Sequence, residues 1–136
     1  MSERTLPRLD PNNRAYWTGG ERGELMLHHC GDCDRYIHPP KPVCRYCLSE
    51  NVAPKAVAKT GVVDTYTVNH QPWKPNMTVP FVLARVVLDE VPGVYLTTNV
   101  VGCDPSEVAI GDRVCMIFEQ HDDVYLPMAQ RVGGAE

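Results

Sequence analysis

The sequence predicts a mainly β chain, with a short N-terminal helix, a rubredoxin-like zinc ribbon and then a five-stranded OB-fold barrel. Three observations predict it. Two CxxC pairs, Cys30-Gly-Asp-Cys33 and Cys44-Arg-Tyr-Cys47, stand ten residues apart. That spacing can set four thiolates at the corners of a tetrahedron, about 2.3 Å from one Zn²⁺. Five runs enriched in Val, Thr, Tyr and Ile follow, at 61–70, 80–90, 94–101, 113–120 and 124–132, with turn residues between them. Between the third and fourth runs, Asp104-Pro105-Ser106-Glu107 caps a single helical turn that Gly111 ends. Five short strands with a helical turn at that place suit the OB-fold, a partly open barrel.

The elements can be justified in order. Residues 1–9 read as a loose arm. Asp10-Pro11-Asn12 offers an acceptor side chain ahead of a proline, so a short helix is expected over 12–18, stopped by Gly19-Gly20. Leu25, Leu27 and His29 alternate with Met26 and His28, which predicts a strand over 24–29 leading into the first cysteine pair. Pro39, Pro40 and Pro42 stiffen the approach to the second pair and lower the entropy lost when a metal closes the loop. Residues 50–60 are expected to be a linker or a strand edge, and Val91-Pro92-Gly93 a tight connection. The expected divisions are an arm and helix over 1–23, the ribbon over 24–52 and the barrel over 53–136.

Composition narrows the function. The chain has 136 residues with 43% apolar content, enough for a packed core. A formal charge of −4 argues against a strong phosphate-backbone binder, whose footprint is basic. No apolar run approaches the ~18 residues of a membrane span, and the N-terminus lacks the apolar segment of a signal peptide. The expected location is the cytoplasm, where paired CxxC motifs read as metal ligands rather than disulfides. Cys103 and Cys115 stand apart in apolar surroundings and are expected to be buried packing residues.

One structural zinc per chain, held by Cys30, Cys33, Cys44 and Cys47, is therefore the cofactor expectation. The competing reading is a set of ordinary buried or redox-active cysteines. A closed Cys₄ site has no open position for water or substrate, so it builds structure. Arg35, Lys41 and Arg45 lie close in sequence and could offset the negative charge of the metal–thiolate unit. His29 precedes Cys30 and reads as a strand residue rather than a fifth ligand.

No catalytic residue is assigned. The five histidines share no spacing with a nucleophile, and no GxSxG, HExxH or Gly-rich phosphate cradle is present. Asp89-Glu90 and Asp122-Asp123 are adjacent pairs whose side chains point apart, so they read as solvated turns. Contact candidates remain. His70 ends the first barrel strand, as a loop-anchoring or ligand-contact residue or as an ordinary hydrogen-bonded one. Trp73 and Met77 lie in a proline-restricted loop, and Tyr16 and Trp17 on the short helix. Large apolar side chains in such places mark a contact surface or fold back on their own domain.

The local text also carries a resemblance. Tyr16-Trp17-Thr-Gly19, Gly23-Glu-Leu25, the two cysteine pairs with Pro39-Pro40-Lys41-Pro42 between them, Gly61-Val-Val, Tyr66-Thr67-Val68 and Asn99-Val-Val-Gly102-Cys-Asp104-Pro occur in order. This is similar to the zinc-ribbon OB-fold family of acyl-CoA-associated proteins, a former domain-of-unknown-function family, over about residues 12–130. The resemblance implies a non-catalytic accessory subunit. It would dock on and stabilise a thiolase-like aldolase or acyltransferase, such as those that shorten steroid side chains, and help shape its CoA-ester site. The partner would supply the catalytic residues and bind most of the acyl-CoA ester. The alternatives are a stand-alone acyl-CoA binder, with Lys55, Lys59, Lys74, Arg85 and Arg113 as phosphate contacts, or a single-stranded nucleic-acid module. One departure stands out. Ribbon knuckles often place glycine after each CxxC because the turn favours positive φ. Asp34 and Leu48 stand there instead, so the second knuckle is expected to be less regular.

Overall fold

The structure is a computed structural model that describes residues 6–72 and 78–132. Helix α1 (Arg14–Thr18) runs into a 3-10 turn (Gly19–Arg22). Strands β1 (Leu25–Cys30), β2 (Tyr36–Ile37) and β3 (Val52–Val57) form an antiparallel sheet in the order β2-β1-β3. Strands β4 (Thr60–Asn69), β5 (Phe81–Leu88), β6 (Leu96–Val101), β7 (Arg113–His121) and β8 (Val124–Arg131) close a barrel in the order β4-β5-β6-β8-β7. β4 also pairs with β7, and the β6–β8 pairing is parallel. A short 3-10 turn (Pro105–Glu107) between β6 and β7 completes the expected OB-fold. Its capping box is present, with Asp104 accepting from the Ser106 N–H and Glu107 from the Asp104 N–H.

Three local expectations are refined. The α-helix ends at Thr18, where the glycine pair begins, as expected, but the chain winds on through both glycines as a 3-10 turn. Gly20 lets the chain pass against β7 and β8, since a Cβ there would lie 2.6 Å from the Phe118 ring. The winding stops at Gly23, whose φ is +72°. For residues 50–60 the structure takes the strand-edge reading, with β3 paired to β1 from Leu25↔Val57 to Cys30↔Val52. Pro54 is tolerated because β3 is an edge strand and needs no N–H on its outer side. The arm is not wholly loose, because Leu6 and Leu9 pack on Val124, Leu126 and Met128 of β8.

One core joins the parts. Leu25 and Leu27 of β1 are fully buried with Tyr16 of α1 against barrel residues such as Val63, Val86, Leu96 and Met116. Burying each leucine is worth about 2 kcal/mol, so the ribbon's first strand is anchored on the barrel. A separate small cluster of Cys30, Ile37 and Cys44, with Cys33 and Val52 beside it, forms the ribbon's own centre.

Candidate metal centre

Two knuckles build this centre. The first follows β1, where the Asp34 N–H donates to the Cys30 carbonyl at 3.0 Å. In the second, the Leu48 N–H donates to the Cys44 carbonyl at 2.9 Å. Asp34 and Leu48 both take left-handed backbone, with φ of +61° and +64°. The second knuckle is therefore as regular as the first, contrary to expectation. The turn's hydrogen bond imposes the conformation whatever side chain stands there.

The four Sγ atoms of Cys30, Cys33, Cys44 and Cys47 lie within 4.8 Å of one another. The Cys30–Cys47 and Cys33–Cys44 separations are both 3.6 Å. Disulfide sulfurs would be about 2.05 Å apart, whereas a tetrahedral ion with 2.3 Å bonds sets its sulfurs about 3.8 Å apart. The donor set and its spacing thus fit one tetrahedral, thiolate-preferring ion. Charge points the same way. Burial works against the Cys44 thiolate, yet the backbone N–H groups of Cys47 and Tyr46 and the neighbouring thiols pull its pKa down to about 6. Burial, then thiol hydrogen bonds, push Cys33 up to about 12. Four thiols this close cannot all ionise without a cation among them. Held this way, an ion would supply structure rather than a reactive water.

The surroundings of the two knuckles differ. Around the first, Ser49 Oγ donates to Asp32, which also accepts from Asn51 Nδ2 at 3.1 Å. His29 Nε2 lies 2.6 Å from Asp34 Oδ1, and its ring packs on Tyr36, so His29 serves the strand as expected. Around the second, the Arg35 and Arg45 guanidiniums lie 4.6 and 5.2 Å from the centroid of the Tyr46 ring. Tyr46 and Leu48 are 41% and 76% exposed. Sequence reasoning missed this aromatic–guanidinium group. Its signal was present in the Arg-Tyr filling of the second CxxC.

The contact candidates scatter. Tyr16 is only 6% exposed, edge-on to Trp17 and 4.9 Å from the His38 ring, so it faces its own core. Trp17 is half-buried against the same core and the β8 outer cluster. His70 is exposed just past β4. Trp73 and Met77 lie outside the described residues. His38 carries a buried Nδ1 with no hydrogen-bond partner among the described residues, and burial and then His28 push its pKa down to about 4. Cys103 and Cys115 are half-buried rather than buried, Cys103 against the barrel core.

Three of the cations proposed for phosphate are engaged within the chain, and Lys74 lies outside the described residues. Arg85 pairs with Asp64 at 2.7 Å, Arg113 with Asp89 at 2.6 Å, and Lys59 donates to the Gly23 carbonyl. Asp89 is thus no simple solvated turn. Hydrogen bonds from Arg113 and then Thr60 hold its carboxyl down to about 2. On the barrel's outer face, a groove of 290 Å³ is lined by Thr65, Thr67, Leu83, Arg85 and Thr97 among others. Among the described residues no helix is long and apolar enough to cross a membrane.

Comparison with known proteins then identifies the family. Residues 17–53 match the ChsH2 rubredoxin-like zinc ribbon domain, and residues 54–119 the ChsH2 C-terminal OB-fold domain. A chain of the solved Ltp2-ChsH2(DUF35) aldolase superposes with a TM-score of 0.81 at 31% identity, covering 93% of this chain and 98% of that one. The protein belongs to the ChsH2 (DUF35) family. As a ChsH2-type chain, it is similar to a "probable enoyl-CoA hydratase alpha subunit" of Thermomonospora curvata, 32% identical over 92% of this chain. It is also 35% identical, over 77% of its length, to the 3-oxo-4,17-pregnadiene-20-carboxyl-CoA hydratase alpha subunit of Mycobacterium tuberculosis. The chain spans only 39% and 33% of the length of these two relatives.

Proposed function

We propose that this chain is a non-catalytic accessory subunit that docks on a thiolase-like acyl-CoA aldolase or acyltransferase, stabilises it and helps shape its CoA-ester site. The observation that carries the reading is the likeness, over nearly the whole of both chains, to a chain of the Ltp2-ChsH2(DUF35) aldolase. In this reading the partner holds most of the acyl-CoA ester and supplies the catalytic groups. One zinc per chain, bound by Cys30, Cys33, Cys44 and Cys47, keeps the ribbon in the shape that docks. The pregnadiene-carboxyl-CoA relative supports a steroid side chain as the acyl group. The complex works in the cytoplasm. Affinity capture of the tagged chain from its native cell, with the co-purifying enzyme identified, tests the reading. A thiolase-like protein in stoichiometric amount is expected, and its absence would overturn the proposal. The hydratase alpha subunits among the relatives make a hydratase the second partner class to look for.

A further inference from the structure

The second knuckle spends surface in a way its own turn does not require. Leu48 takes a φ of +64°, a region that L side chains rarely adopt. Its N–H closes the turn, but that bond needs a left-handed backbone and not a leucine. Asp34 shows the alternative at the matching place, adopting the same backbone while pairing with His29. Leu48 is 76% exposed, so the chain's own core takes little from it. It is thus a poor residue for the turn and a minor one for packing. Val43 and Tyr46, on the same short stretch, are also exposed apolar residues.

The charges nearby are uncommitted as well. Arg35 and Arg45 lie against the Tyr46 ring, and among the described residues neither makes an ion pair. A guanidinium carries five donors and no acceptor, so stacking on a ring leaves those donors unmatched within the chain. Two nearby carboxylates are engaged elsewhere, Asp32 with Ser49 and Asn51, Asp34 with His29, and Glu50 is exposed beside the turn. The chain as a whole is acidic, yet this tip offers two free guanidiniums around an apolar residue. Its electrostatic complement is an acidic-rimmed apolar depression.

We propose that the second knuckle, through Leu48, Tyr46 and Val43 with Arg35 and Arg45 at the rim, is a docking surface for the partner subunit. Leu48 fills an apolar depression on the thiolase-like protein, and carboxylates around that depression receive the two guanidiniums. The inference rests on the accessory-subunit reading above and adds which face of the chain meets the partner. Tyr46 reaches the barrel as well, since its hydroxyl lies 4.0 Å from where a Cβ on Gly93 would stand.

The test uses the thiolase-like protein captured on the tagged chain, purified and titrated calorimetrically with variants. Leu48→Gly suits the left-handed backbone and removes only the side chain. It should keep the fold and the full metal content yet bind at least tenfold more weakly. Leu48→Asp should weaken binding further. Arg45→Glu should weaken it and flatten its salt dependence. Leu83→Ser, on the barrel's outer face, should bind like the parent chain. Unchanged binding by both Leu48 variants would overturn the proposal while leaving the accessory reading intact. Capture of no thiolase-like protein would overturn both. If the chain self-associates and Leu48→Asp abolishes this, the occupant is a second copy and the proposal is wrong.

Discussion

The two knuckles of the ribbon share a backbone and differ in almost everything else. Each closes an N–H to carbonyl bond across its cysteine pair, and each places a left-handed residue after it. The first knuckle is closed on its own chain: Asp32 is held by Ser49 and Asn51, and Asp34 by His29. The second presents Leu48, Tyr46 and the Arg45 guanidinium outward, and Arg35, leaving the first knuckle, lies against the same Tyr46 ring. The metal needs the shared part only. The difference teaches that coordination geometry and surface chemistry are set by separate residues, so a Cys₄ site can be structural while its rim is functional.

The largest effect should come from removing what the knuckles share. Cys44→Ala deletes one of four thiolates and leaves the ion an incomplete shell. Structural Zn²⁺ contributes about 10–16 kcal/mol of apparent binding free energy in small zinc modules, so the ribbon should lose both metal and order. Elemental analysis should find under a tenth of the parent's zinc, and circular dichroism should keep the barrel's β signal. Full zinc content in that variant would break the four-ligand assignment.

A swap sharpens the comparison next. Asp34→Leu gives the first knuckle the second's residue. Left-handed backbone costs a non-glycine residue about 1–2 kcal/mol, and Asp tolerates it better than most. The swap also removes the partner of His29. A loss of about 1 kcal/mol in chemical denaturation is expected, with partner binding unchanged. In the opposite direction, Leu48→Gly relieves strain but gives the unfolded chain more freedom, terms that offset to within about 0.5 kcal/mol. Its melting temperature should match the parent's, where a core leucine-to-alanine change would cost about 2–5 kcal/mol.

The smallest effect lies outside both knuckles. Hydrogen bonds from Arg113 and Thr60 hold the Asp89 carboxyl down to about 2. Because its folded value is depressed below the ordinary 3.8, its contribution is present above pH 4 and lost as pH falls toward 2. Asp89→Asn should flatten the decline in melting temperature between pH 4 and pH 2 and leave zinc content untouched. A change in metal content would mean that barrel and ribbon are coupled more tightly than their shared core implies.

Much of this was legible before any coordinates. The barrel strands show in the sequence because one buried face and one wet face impose a period of two, and Val82, Ala84, Val86 and Leu88 alternate as that requires. The cysteine spacing shows the metal cluster for a similar reason, since four ligands must converge on one point. β3 was obscured by Pro54 and by its exposed middle, which its edge position permits. The Gly19-Gly20 pair ends the α-helix as its sequence suggests, but the 3-10 turn through it was hidden, because Gly20 packs on Phe118 from the far end of the chain. Tertiary pairs such as Arg113 with Asp89 leave no local trace either. For Leu48 the sequence exposed the strain but not the exposure, and only both together raise the question of what covers it.

The central claim is that the chemistry belongs to another chain. Reconstitution tests it directly: the purified chain, its captured thiolase-like partner and an acyl-CoA ester, with carbon–carbon bond cleavage or formation followed by mass spectrometry for each protein alone and for the pair. The account predicts no turnover by this chain alone, weak turnover by the partner, and a rise of at least tenfold when the two are combined. Full turnover by this chain alone would contradict it.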